Sequence, residues 1–146
     1  MTIERFRWWH IAEVLRIEED LFGAEKWSAA MFWNELAQRR FYVVALDGSE
    51  VLGYAGLSIV DPQEAWVQNI AVRRTAQGHG IGRTLLETLL DKAAAERVDK
   101  TLLEVAVNNE PAQRLYATYD FEPVGIRRGY YQPSNTDALV MVRSAR

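Results

Sequence analysis

Three observations predict an α/β fold with a mixed, mostly antiparallel central sheet flanked by helices. Apolar residues recur at helical spacing through residues 9–21. Three β-branched and aromatic segments follow, separated by turn signals, and a polar, glycine-rich stretch then leads from the third of them into a long amphipathic segment. At 146 residues the chain has the size of one domain, able to bury roughly two thirds of its unfolded surface around one core. No repeat, low-complexity stretch or Pro/Gly/Ser-rich linker divides it, so one domain over 1–146 with one active site is expected.

Taken in order, residues 2–7 read as a short strand. Ile11, Val14, Leu15 and Ile17 then mark a helix over 9–21, with Leu21 and Phe22 at the loop beyond. Gly23 makes a break, and Ser28 is placed to cap a second helix carrying Ala29, Phe32 and Leu36 on one face, with Trp27 and Trp33 helping to cover the core. Residues 41–46 and 51–60 are strands joined by the Asp47-Gly48 turn, and Asp61-Pro62 leads into a third strand over 65–72. After the glycine-rich loop, Ile81, Leu85, Leu86, Leu89 and Ala93 are spaced for the buried face of a long helix. Residues 101–107 are again a strand, Asn109 can cap a helix running through Tyr119, and two last strands lie near 121–127 and 138–143.

Composition excludes several classes of function. The net charge of -3 lacks the basic excess of a general nucleic-acid binder, so no nucleic-acid partner is expected. The N-terminal residues lack a positive stretch followed by an apolar run, and no window approaches the ~18 apolar residues of a membrane span. A cytoplasmic protein without membrane attachment is the expectation. With no cysteine, a disulfide framework, a thiolate zinc site and a cysteine nucleophile are excluded, and His10 and His79 alone make a poor ligand set, so no metal is expected.

Gly78, Gly80 and Gly82 alternate in the run Gln77-Gly78-His79-Gly80-Ile81-Gly82, where backbone amides can converge on an anion at the mouth of the Ile81 helix. Arg73, Arg74 and Arg83 lie close by in sequence and add positive charge. An ATP-type phosphate loop would need Gly-Lys-Ser/Thr where Arg83 stands, and the dinucleotide pattern Gly-x-Gly-x-x-Gly would need glycine at that same position. The plain alternative is a strand-to-helix connection with no ligand. What is present, Gln77-x-x-Gly80-x-Gly82 after the strand Asn69-Ile70-Ala71-Val72, resembles the GNAT acetyltransferase superfamily. The resemblance implies that this loop, with His79, Ile81 and Arg83, binds the pyrophosphate of acetyl-coenzyme A (acetyl-CoA), and that Ile70, Ala71 and Val72 meet the pantetheine arm through their main chain.

Glu104 interrupts the apolar run Leu102-Leu103-Glu104-Val105-Ala106-Val107, where a carboxylate needs a partner or a task. It can serve as a proton acceptor, or it can reach solvent or an arginine. Tyr116, on the helix after Asn109, can donate a proton or can simply be core. Leu103-Glu104-Val105, Asn109 and Leu115-Tyr116 resemble the bacterial ribosomal-protein alanine N-acetyltransferase subgroup, in which the matching glutamate is general base, the tyrosine general acid and the asparagine a cofactor contact. Glu18, Phe22, Trp27-Ser28 and Ile126-Arg127-Arg128-Gly129-Tyr130-Tyr131 follow the same subgroup, so the likeness covers roughly residues 3–143. It implies that Tyr130 and Tyr131 line a peptide entrance; aromatic packing at a hairpin end is the alternative.

Two positions depart from the pattern: Asp120 stands where a glycine is usual before Phe121, and Arg73-Arg74-Thr75-Ala76 lacks a proline. The implied reaction is direct acetyl transfer to the α-amine of a protein N-terminus, with a ribosomal protein as partner and a backbone N–H near Val72 polarising the carbonyl. Acetylation of lysine or a small amine, and a non-catalytic coenzyme A-binding sensor or interaction module, are the alternatives. Oligomeric state is not legible.

Overall fold

Strand β1 (Thr2–Arg5) opens the chain in the computed structural model, which describes residues 1–145. A short 3-10 turn, Trp8–His10, precedes α1 (Ile11–Phe22), so the helix starts two residues later than its apolar period implies. The reason is local: His10 N–H donates to the Arg7 carbonyl at 2.9 Å and the Arg7 N–H donates to His10 Nδ1 at 2.9 Å, closing a tight turn first. Helix α2 (Ala29–Ala37) begins at Ser28, whose hydroxyl accepts the Met31 N–H at 3.3 Å as an N-cap.

The hairpin of β2 (Phe41–Asp47) and β3 (Glu50–Asp61) turns at Gly48, and β4 (Glu64–Val72) completes an antiparallel meander. Then follow α3 (Ile81–Ala95), β5 (Lys100–Ala106), α4 (Glu110–Ala117), β6 (Glu122–Tyr131) and β7 (Thr136–Ser144). Among the described residues one sheet of seven strands results, in the order β1-β2-β3-β4-β5-β7-β6, in which only β4 and β5 run parallel. The crossover through α3 imposes that pairing, because a strand reached by a helical connection returns in the same direction.

Each face of the sheet is covered. Leu85, Leu86 and Leu89 of α3 pack with Val67, Leu103 and Val105 on one side, while Val14 and Ile17 of α1 and Phe32 of α2 pack with Tyr42, Tyr54 and Ala71 on the other. Trp27 joins the second cluster, its ring 5.2 Å from Phe32. Trp33 does not: it is half exposed and stacks on Trp8 at 6.4 Å. Phe32 takes the inward direction on α2, and its chain neighbour is turned about 100° away from it.

The alternation along β4 changes phase once. Asn69 pairs with Gly56 but Val67 pairs with Leu57, leaving Gln68 as an extra residue. This bulge puts Ala65 and Val67 on the α3 face and Ala71 on the α1/α2 face. Gln68 and Asn69 line the same cleft as Glu104, Tyr116 and Tyr131.

Candidate active site

The parallel ladder between β4 and β5 is short: Glu64, Ala65 and Trp66 pair with Lys100, Thr101 and Leu102, and there it stops. Beyond Trp66, β4 remains bonded to β3 as far as Val72, and β5 to β7 as far as Ala106. Two strand edges therefore diverge across a gap that opens into a cleft of about 670 Å³. The Arg73 N–H donates to the Leu52 carbonyl at 2.7 Å, on the β3 side. Alternation then turns the main-chain groups of Val72 and Ile70 toward the gap and those of Ala71 toward β3. Of the three residues expected to offer main chain to a pantetheine arm, Ile70 and Val72 turn theirs to the gap, whereas Ala71 turns its main chain to β3 and its side chain to the cleft. Gln77 folds back to donate from Nε2 to the Val72 carbonyl at 3.0 Å, tying the loop to the strand end.

Gly78 and Gly80 take φ of +83° and +81°, a left-handed region costly for a side chain. Gly82 is different: it lies within α3 at an ordinary φ, and a Cβ there would meet only Val72 Cγ2 at 3.6 Å. Gly80 is the N-cap of α3 and no side chain caps the helix. The first intrahelical bond runs from the Thr84 N–H to the Gly80 carbonyl at 3.0 Å, so helix geometry leaves the amides of Ile81, Gly82 and Arg83 over, at the positive end of the dipole. Such a cradle fits a pyrophosphate. His79 turns aside, its Nδ1 3.2 Å from the Ala76 carbonyl. The arginines expected to supply charge are engaged elsewhere: Arg73 pairs with Glu13 at 2.8 Å and Arg74 with Asp20 at 3.1 Å, while Arg83 lies over the Tyr119 ring at 5.4 Å and reaches Thr118. Two of the three arginines are thus paired with carboxylates of α1.

Glu104 and Tyr116 both line the cleft. On β5, Leu103 and Val105 belong to the α3-side core, which turns Glu104 between them to the α1/α2 face. Its side chain is 13% exposed, and Oε2 is buried without a hydrogen-bond partner. Arg127 Nε lies 3.7 Å from that oxygen, a loose ion pair, and the Tyr130 hydroxyl is a second neighbour of the carboxylate. Tyr116 comes from α4 and sits in the α3-side core, where burial pushes its phenol up to about 12. Base and acid candidates therefore approach one gap from opposite faces of the sheet. Among the described residues no cluster of three or more His, Asp or Glu side chains suits a metal ion.

Residues 5–121 match the family model described as the acetyltransferase (GNAT) family. The chain belongs to the GNAT acetyltransferase family. It is 42% identical to the N-alpha-acetyltransferase RimI of Mycobacterium tuberculosis, over 88% of this chain and 83% of that one. It is 32% identical to the ribosomal protein bS18-alanine N-acetyltransferase of Escherichia coli, over 79% and 78% of the two chains. The crystal structure of the ribosomal-protein-S18-alanine N-acetyltransferase from Escherichia coli superposes with a TM-score of 0.89 at 30% identity, covering 98% of this chain and 92% of that one. GNAT enzymes take their acetyl group from acetyl-CoA, and the uncapped α3 amides and the open β4–β5 gap of this member fit that cofactor.

Two details of this GNAT chain explain how Tyr116 is held. Asn109 is the N-cap of α4, its Oδ1 accepting the Ala112 N–H at 3.3 Å, and it borders the cleft as it does so. At the other end Asp120 adopts φ of +67°, the left-handed cap usually given to glycine. The Phe121 N–H then donates to the Tyr116 carbonyl at 3.2 Å, the Asp120 N–H to the Ala117 carbonyl at 3.0 Å, and the Phe121 ring packs on Tyr116 at 5.9 Å. The cap survives the exchange of glycine for Asp, a residue whose short polar side chain tolerates this conformation.

Tyr131 lines the cleft, while Tyr130 stands beside it, ring to ring at 5.1 Å. Both phenols are raised by burial first; the charge of Glu104 adds to the shift at Tyr130, and Tyr130 and Glu104 add to it at Tyr131. Sequence reasoning missed three groups here. Asn69 lines the cleft beside Ile70, and its signal was a polar residue inside an apolar strand. Tyr42 and Glu35 are buried behind it, hydrogen-bonded at 2.9 Å, and neither stood out from its segment. Glu18, noted only for its spacing, is a buried carboxylate accepting from the Tyr54 hydroxyl at 2.8 Å and the Trp27 N–H at 3.2 Å; burial raises its pKa against those two bonds.

Proposed function

We propose that the protein transfers the acetyl group of acetyl-CoA to the free α-amine of a protein N-terminus, with the N-terminal alanine of ribosomal protein bS18 as acceptor. The observation that carries this reading is the placement of Glu104 and Tyr116 on opposite faces of the β4–β5 gap. The activity named for relatives at 32–42% identity supports the acceptor.

The cofactor supplies a thioester-activated acetyl group. Amides of Ile81, Gly82 and Arg83 hold its pyrophosphate, the left-handed Gly78 and Gly80 shape the approach, and the main chain of Ile70 and Val72 aligns the arm along the open strand edge. The Val72 N–H polarises the acetyl carbonyl. Asn109 adds a contact at the head of α4, and Tyr130 and Tyr131 flank the acceptor's way in.

Glu104 removes a proton from the incoming ammonium on the α1/α2 side. As the nitrogen–carbon bond forms the carbon–sulfur bond breaks, and Tyr116 passes its proton to the departing sulfur from the α4 side. A phenol at about 12 is a weak acid beside an ordinary thiol near ~8.5. The same burial raises the basicity of a thiolate formed in that cleft, which narrows the difference.

Three peptides test the reading: one with a free N-terminal alanine, the same peptide with its α-amine blocked, and a blocked peptide containing lysine. Thiol release and product mass follow the reaction. Transfer to the free α-amine alone is expected. Transfer to lysine makes this a side-chain enzyme, and cofactor binding without transfer to any amine overturns the reading in favour of a sensor.

A further inference from the structure

Tyr42, Gly56 and Asn69 form one row across β2, β3 and β4, since Tyr42 pairs with Gly56 and Gly56 with Asn69. Gly56 is small for a reason: a Cβ there would fall 2.1–2.4 Å from three atoms of the Tyr42 ring. The ring lies across the glycine, and its hydroxyl contacts both Asn69 Oδ1 and Glu35 Oε1, the latter at 2.9 Å. Glu35 Oε2 is paired with Arg40 Nε at 3.2 Å, so this carboxylate only accepts. The bulge at Gln68 swings Asn69 off the face occupied by Val67 and onto the face that carries Tyr42 and Glu104.

Proton counting decides which way the Asn69 amide points. A phenol has one hydrogen, and burial together with the Glu35 charge keeps Tyr42 protonated. The carboxylate is the stronger acceptor and takes that hydrogen. An amide oxygen against the phenol oxygen would then be acceptor against acceptor, whereas the amide nitrogen can donate to it. Asn69 therefore turns Nδ2 to Tyr42 and Oδ1 into the cleft, an assignment made from the hydrogen-bond network.

Resting on the reaction proposed above, we infer that Asn69 Oδ1 is the second acceptor for the substrate's α-ammonium, working with Glu104, and that Glu35 and Tyr42 are positioning residues that fix its orientation. An ammonium brings three N–H donors into the cleft, and one carboxylate does not satisfy them all. A directed amide oxygen selects an acceptor with a free amine before any proton moves.

The test uses a peptide with a free N-terminal alanine and four variants: Asn69→Ala, Asn69→Asp, Tyr42→Phe and the Tyr42→Phe/Asn69→Asp pair. Peptide KM, acetyl-CoA KM and melting temperature are measured for each. Asn69→Ala raises the peptide KM about tenfold or more and leaves the acetyl-CoA KM in place. Tyr42→Phe keeps the ring over Gly56 but frees the amide to turn, raising the peptide KM in the Asn69 protein. In the Asn69→Asp protein it has no such effect, because a carboxylate presents oxygen either way. An unchanged peptide KM in Asn69→Ala, or an equal Tyr42→Phe penalty in both backgrounds, overturns the inference while wild-type turnover keeps the reaction standing. A wild-type protein that does not acetylate the peptide overturns the reaction and this inference together.

Discussion

Replacing Gly82 with alanine should make the free protein more stable and its cofactor binding weaker. Gly82 lies in the first turn of α3 at an ordinary φ, and the added methyl meets nothing closer than Val72 Cγ2 at 3.6 Å, a normal contact. Alanine exceeds glycine in helix propensity by up to about 1 kcal/mol, less so near a helix end. For a chain of this size that gain raises the melting temperature by roughly 2–4 °C. If the pyrophosphate lies against the Gly82 amide, the same methyl displaces a charged oxygen and weakens one charge-assisted hydrogen bond, worth about 1.5–3 kcal/mol, or roughly tenfold to a hundredfold in affinity. Gly80→Ala is the contrast, since at φ of +81° it is strained by about 1–2 kcal/mol whether or not ligand is present. Thermal melts of the free protein and calorimetric titration with acetyl-CoA read both quantities. Unchanged affinity in Gly82→Ala would refute the assignment of the anion to the head of α3, and a lower melting temperature would refute the open space at this site.

Other outcomes follow from the proposed proton-transfer groups and from the packing of His10. Glu104→Gln and Tyr116→Phe should each lower turnover on the order of 10² while acetyl-CoA affinity holds, and unchanged kcat in both would remove their roles. With its phenol at about 12, Tyr116 stays protonated through ordinary assay conditions, so kcat should not decline near pH ~10 as it would with an unperturbed tyrosine; a fall there that Tyr116→Phe abolishes would contradict the burial argument. His10 accepts the Arg7 N–H and packs against Phe6, and burial outweighs nearby Glu4 and Glu13 in lowering its pKa below 6.5. A base depressed in the fold stabilises fully above the unfolded value and loses that contribution as pH falls from about 6.5 through the folded value. Urea midpoints should therefore drop more between neutral pH and about pH 5 in the wild type than in His10→Gln, and equal drops would exclude the effect.

Much of this protein can be read in its sequence because the signals are local. Helical period gives α1 and α3, Ser28 and Asn109 cap the helices they precede, and the Asp47-Gly48 turn closes the β2–β3 hairpin. Glu104 declares itself as a carboxylate in an apolar strand, and the spacing from Gln77 to Gly82 marks the family. Where neighbours in space decide, the same reasoning goes astray. Trp33 has the composition of a core residue but faces outward beside Phe32, and Arg73 and Arg74 stand next to the anion loop in sequence yet are neutralised by Glu13 and Asp20 of α1.

What the sequence alone determined is the order and type of the elements and the candidates for the chemistry, since periodicity, capping and glycine spacing act within a few residues of chain. Only the tertiary structure decided that β4 and β5 part company after Trp66 and Leu102, that one extra residue at Gln68 turns Asn69 to the face of Glu104, and that Tyr42 reaches it across Gly56. Those outcomes depend on register between strands far apart in the chain, and a shift of one residue, which no local pattern records, moves a side chain from one face of the sheet to the other.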